Sequence, residues 1–173
     1  MIENNDQKEK RWFALYTKPR HEFKAQIQLD ALSIENYLPT IIVEKKWSDR
    51  KKKVTDPLFR GYIFIHATES ERLYSLQQKA IVKTISFNGQ PATIPHWQIE
   101  NIKIMLSRNP EVIITNKIEI GSSIEITKGP FSGVVGKVKE VNNEKWLIVT
   151  IDLLKRSVMV RLPIEEALQL EHK

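Results

Sequence analysis

The 173-residue chain contains no cysteine. That excludes disulfide staples, thiolate zinc sites and cysteine nucleophiles, and it suits a reducing compartment. Long apolar runs are missing too: none approaches the roughly 20 residues that cross a bilayer. The N-terminus lacks the apolar core of a secretory leader. A cytoplasmic protein with no membrane attachment is therefore expected. Histidines are few (His21, His66, His96 and His172) and show no metal-ligand spacing. No Ser or carboxylate stands in a nucleophile or acid–base frame. The expectation is a protein without catalytic activity, metal or cofactor.

Apolar residues make up 41% and charged residues 28%, which is a globular composition. Residues 1–10 are polar and aperiodic and read as a disordered tail. Charge is unevenly spread. Up to Asn109 the chain holds 18 of its 27 Lys/Arg and 12 of its 21 Asp/Glu, so the whole net charge of +6 lies there. From Pro110 onward the charges balance. A basic excess confined to one part suits contact with a polyanion, and equally a basic solvated surface.

WFALYT, residues 12–17, reads as a first strand. Residues 20–32 then have helical composition with two apolar stripes, Phe23/Ile27/Ala31 and Ala25/Leu29/Leu32, between which periodicity does not choose. Residues 36–43 read as extended. EKKWSDRKKK, residues 44–53, holds six basic and two acidic residues around Trp47 and suits an exposed hairpin tip or loop. LFRGYIFIHA, residues 58–67, is apolar at both parities, as in a central strand or one whose outer face serves a partner. Thr68 and Glu71 have capping-box spacing ahead of a short helix. A strand over 80–87 closes at Asn88-Gly89, and Pro95 opens a helix with Ile99, Ile102 and Leu106 on one face. The order predicts an α+β domain, with helices on one side of a mainly antiparallel sheet.

After Asn109-Pro110 the pattern changes. Residues 123–127, 134–141, 145–152 and 157–162 are short alternating runs divided by Gly-Pro and Asn-Asn turn signals. That pattern predicts a small β-barrel. The expected division is a tail (1–10), an N-terminal domain (11–108), a linker (109–119) and a barrel (120–173).

Two motifs carry a family resemblance. ITKGPFSGVVGKVKEV, residues 126–141, places Gly129, Gly133 and Gly136 among β-branched residues, with strands rather than a helix following, so it is no phosphate loop. It resembles the KOW motif of SH3-like barrels. KRWFALYTKPRHE (10–22) with DPLFRGYIFI (56–65) resembles the N-terminal (NGN) domain of NusG-family transcription factors. The domain order matches as well, over about residues 10–170. WSDRKKKVTDPLFRGYIF, with Arg60 in place of the common proline, is closer to specialised paralogues of the UpxY and RfaH type. Those are associated with long surface-polysaccharide operons.

The resemblance implies a factor that binds the clamp helices of the largest RNA polymerase subunit and suppresses pausing or termination. The matching positions are Tyr16, Phe59, Tyr62 and Phe64; by residue type alone they suit a core equally well. Lys18, Arg20, His21, Trp47, Arg50, Lys51, Lys52 and Arg72 match regions near the exposed non-template DNA strand. Lys128, Phe131, Gly133 and Gly136 mark the KOW partner surface, whose partner in relatives is a ribosomal protein or Rho. Phe131 is as compatible with packing on its own barrel. A monomer is implied. The alternative is an RNA-binding or ribosome-associated KOW protein, against which the neutral barrel argues. In RfaH the C-terminal domain can refold as a helical hairpin; here the Val, Ile and Thr of 145–162 favour a stable barrel.

Overall fold

The computed structural model describes residues 9–46, 51–107, 112–115, 123–127 and 129–162. By contacts the chain divides into two compact units, Met1–His96 and Trp97–Lys173.

In the first unit, β1 (Arg11–Thr17) and β5 (Tyr62–Ala67) are the central strands of a sheet ordered β2-β5-β1-β6, with β2 at Asn36–Tyr37 and β6 at Ile81–Thr84. A short β9 (Thr93–Ile94) also pairs with β1. The β1/β5 pairing is antiparallel and sets Phe13 opposite Ile65 and Leu15 opposite Ile63. These four pack with Ala25 and Leu29 of α1 (Glu22–Ala31) into the core. The choice between the α1 stripes is thus settled. Ala25 and Leu29 are buried, whereas Phe23 and Ile27 stay exposed. The capping box forms as the sequence predicts, with Thr68 and Glu71 bonding each other's backbone amides at the start of α2 (Glu69–Ser75).

One stretch differs from expectation. The strand expected over 58–67 begins only at Tyr62, because Gly61 takes φ +83 and turns the chain. The polar run 44–53 belongs to a hairpin, one of the two forms expected for it, with 44–46 and 51–53 extending its strands. β3 (Thr40–Lys46) and β4 (Lys51–Pro57) pair through Lys46↔Lys51 in a separate two-stranded sheet. A second small hairpin, β7 (Ser86–Phe87) with β8 (Gln90–Pro91), turns at Asn88-Gly89, both with positive φ. That is the type I′ geometry these residues favour.

The second unit contains α3 (His96–Ser107) from Trp97 on, and a five-stranded antiparallel sheet ordered β10-β14-β13-β12-β11, the SH3-like barrel. The strands are β10 (Val112–Thr115), β11 (Ile124–Glu125), β12 (Val135–Val141), β13 (Glu144–Ile151) and β14 (Arg156–Arg161). Asn142-Asn143, both at positive φ, make the β12/β13 turn. Residues 145–162, where stable strands were favoured, lie mostly in β13 and β14. Val112–Thr115 falls within the stretch read as linker, yet it pairs with β14. α3, grouped by the sequence with the N-terminal domain, is tied here to the barrel. The buried Asn101 carboxamide donates to the Val135 carbonyl (2.7 Å) and accepts from the Val135 amide (3.2 Å). It thereby satisfies a peptide group as a neighbouring strand would.

Gly136 is dictated by packing. A Cβ there would lie 2.6 Å from the Ile148 carbonyl oxygen, a backbone atom that cannot swing aside. Gly136→Ala should therefore destabilise the second unit by about 1–3 kcal/mol. Thermal unfolding followed through Trp146, in β13 of that unit, should show a lowered midpoint.

Candidate polymerase and nucleic-acid interface

The face of the first sheet opposite α1 carries a column of cross-strand pairs: Trp12 opposite His66, Ala14 opposite Phe64, and Tyr16 opposite Tyr62. Trp12 stacks on His66 with centroids 5.0 Å apart, and its indole N–H donates to Nδ1 of His96 (3.0 Å). Phe59 and Phe64 meet edge to face at 5.9 Å and are both fully buried. At the end of the column Tyr16 and Tyr62 meet edge to face at 5.6 Å, and both are half-buried. Of the four aromatics matched to the clamp site, then, Tyr16 and Tyr62 reach solvent. Phe59 and Phe64 lie beneath the surface and shape it.

The tyrosine pair is positioned by Gly61. A Cβ at Gly61 would sit 3.1 Å from the Tyr16 ring. The Gly61 amide donates to Oε1 of the buried Glu22 at 2.7 Å, and its carbonyl accepts from the Thr17 amide at 2.8 Å. Beside it opens a cleft of about 570 Å³ lined by Tyr16, Glu22, Phe23, Lys45, Asp56 and Arg60 among others. A hydrogen bond from Lys45 is the main reason that the Asp56 carboxyl is held below the usual range, with Arg60 adding to it.

The expected nucleic-acid residues separate into groups. Lys18 and Arg20 are exposed at the end of β1, Arg20 at φ +61. His21 is half-buried, its Nδ1 donating to the Pro19 carbonyl (2.9 Å). Lys51 and Lys52 are exposed on β4. Arg72 is different: it is 6% exposed and committed inward. Its guanidinium pairs with Glu69, donates to Thr84 Oγ1 (2.8 Å) and lies over the Phe13 ring at 5.9 Å. A guanidinium so occupied is not free for phosphate, and Arg72 is a structural residue. Trp47, Arg50 and Lys128 lie outside the described residues. In the barrel Phe131 is 3% exposed, and Gly133 takes φ +87. The sequence reading missed Glu22, the Trp12/His66/His96 stack and Asn101. Only the spacing of Glu22 behind β1, at the start of a helix facing the sheet, hinted at any of these.

Among the described residues, no three His, Asp or Glu side chains gather as a metal site, and no helix is long and apolar enough to cross a membrane.

A sheet presenting aromatics, a basic ribbon and an SH3-like barrel together describe a two-unit binding protein. Residues 10–103 match the family described as transcription termination factor nusG, and residues 120–152 match the KOW motif. The chain belongs to the NusG family. It is 25% identical to the transcription termination/antitermination protein NusG of Haemophilus influenzae, over 94% of this chain and 95% of that one. The corresponding Staphylococcus carnosus protein is 22% identical over 91% and 94%. Among solved structures, Thermotoga maritima NusG aligns with a TM-score of 0.52 and 22% identity, covering 91% of this chain and 96% of that one, which supports the fold.

Glu69 is held below the usual carboxyl range chiefly by the hydrogen bond from Arg72, and Glu71 by the Thr68 amide. A carboxyl depressed in the folded state adds stability above its unfolded pKa and loses it as pH falls through the folded value. Thermal midpoints should thus drop on acidification below about pH 4. Arg72→Met should lower the midpoint at neutral pH and make its acid-side fall shallower, which melts between about pH 3 and 7 will show.

Proposed function

We propose that this chain is a non-catalytic, cytoplasmic transcription elongation and antitermination factor, monomeric, that rides on bacterial RNA polymerase and suppresses pausing or termination. The N-terminal domain (11–108) engages the largest-subunit clamp helices. The stretch 109–119, of which Val112–Thr115 pairs with β14, leads into the KOW barrel (120–173), which recruits a second partner such as a ribosomal protein or Rho. The observation that carries this reading is the half-exposed Tyr16/Tyr62 pair at the end of the cross-strand column that holds the buried Phe64. A coiled coil needs rigid apolar anchors to dock on, and aromatics that already pack edge to face lose little entropy on binding.

Lys18, Arg20, His21, Lys51 and Lys52, together with Trp47 and Arg50, would contact nucleic acid beside the clamp, including the non-template strand. Lys128 and the turn at Gly133 would form the barrel's partner surface, with the buried Phe131 and the β12 residue Gly136 as its support. Binding across the polymerase cleft favours the processive state only by the factor's differential affinity for that state over the paused one. Arg60 before Gly61, and identity of only 22–25% to the general factors over nearly their whole length, support a specialised paralogue serving particular operons such as those for surface polysaccharides.

Size-exclusion co-elution with a stalled bacterial elongation complex tests the proposal. Wild type should co-elute. Tyr62→Ala, which truncates a central aromatic anchor, should weaken binding by about 30-fold or more. No binding by either form, with RNA captured through the KOW barrel instead, would favour a ribosome-associated role.

A further inference from the structure

We propose that the β3/β4 ribbon inserts into the major groove of duplex DNA, so that Lys51 and Lys52 of the proposed nucleic-acid surface meet the duplex part of it and leave the unpaired strand to Lys18, Arg20 and His21. It deepens the nucleic-acid part of the proposed function, on which it rests for the presence of duplex beside the polymerase.

The pairing register places Lys45 directly opposite Lys52, and Lys46 directly opposite Lys51. Like charges so placed destabilise a hairpin. The ribbon also forms a two-stranded sheet of its own, and all five lysines from Lys45 to Lys53 are exposed. Lys45 pairs with Asp56 (2.8 Å) and Lys51 loosely with Glu44 (3.8 Å). Lys46, Lys52 and Lys53 have no carboxylate partner among the described residues. Such an arrangement weakens the free protein and is relieved by a polyanion.

The geometry points to the kind of polyanion. Cross-strand partners share a face, so Lys46, Lys51 and Lys53 project from one side of the ribbon and Lys45 and Lys52 from the other. A groove offers phosphate walls on both sides, whereas a single strand runs along one. Two paired strands about 5 Å apart, with side chains, suit a groove about 12 Å wide, and a seven-residue strand reaches about 20 Å. Platforms for unpaired strands stack successive bases on several aromatics. Between Thr40 and Pro57 the sequence holds only Trp47. The deep, narrow major groove of an RNA duplex would not admit the ribbon.

Fluorescence anisotropy with the full-length chain tests this, using a labelled 20-base-pair DNA duplex, one of its strands and the matching RNA duplex, each across a salt series. The DNA duplex should bind tightest. Each phosphate contact contributes about 0.9 to the slope of log K against log salt, hence roughly eightfold in affinity at 0.1 M salt. Lys46→Ala/Lys53→Ala on one face and Lys52→Ala on the other should each weaken duplex binding, by about 60-fold and eightfold respectively, with matching losses of slope. Lys52→Ala should not lower the melting temperature, since it removes the like charge opposite Lys45, whereas in the double variant the loss of Lys53 opposite Glu44 offsets the gain from removing Lys46 opposite Lys51. Equal or tighter binding of the single strand or the RNA duplex would overturn the proposal, as would loss from one face only. Co-elution of the wild type with core polymerase free of nucleic acid separates the two readings. Polymerase binding without duplex preference defeats the ribbon alone, and duplex preference without polymerase binding supports the ribbon while defeating the polymerase role.

Discussion

The register of β1 against β5 is the constraint on which the rest of the first unit depends. Side chains alternate along a strand, so a slip of one residue would turn Phe13, Leu15, Ile63 and Ile65 out of the core and bring the tyrosines in. The register is closed at one end by Gly61. Its positive φ and its lack of a Cβ let the chain enter β5 beside the Tyr16 ring. Its amide is held by Glu22 and its carbonyl by Thr17, which fixes the first turn of α1 to the same point. A buried side-chain oxygen that accepts from a backbone amide is a firm anchor, because losing either partner leaves the other unsatisfied. One junction therefore sets the helix, the strand pair and the exposed tyrosines together.

Charge is sorted by the fold as well as by the sequence. Of the basic residues in the first unit, Arg72 is drawn inside by Glu69, Thr84 and the Phe13 ring, whereas the ribbon lysines are turned out and paired with one another. The first spends its charge on holding α2 to the sheet. The second leaves charge unneutralised on a slender element, where it serves contact rather than stability.

Much of this was legible in the sequence. WFALYT announced β1, the Thr68/Glu71 spacing announced its cap, and the alternating runs with their Asn-Asn turn announced the barrel strands. What stayed hidden depended on partners distant in sequence. Both α1 stripes satisfy helical periodicity, and only the sheet decides that Ala25 and Leu29 face inward. Arg72 has the composition of a surface residue, and its burial requires Thr84 from another element. Val112–Thr115 is too short to declare itself a strand until β14 pairs with it. Asn101 reads as a polar helix position, because the peptide group it satisfies lies 34 residues away. Of the four candidate clamp aromatics, the motif could not say that two would be buried and two half-exposed.

The central claim is that the Tyr16/Tyr62 end of the aromatic column is the surface that meets RNA polymerase. Its most direct measurement is photo-crosslinking from a benzoylphenylalanine placed at position 62 of the full-length chain, on a stalled elongation complex. The account predicts a crosslink to the largest polymerase subunit, competed away by excess wild-type protein. Crosslinks to RNA or to ribosomal protein, with none to polymerase, would contradict it.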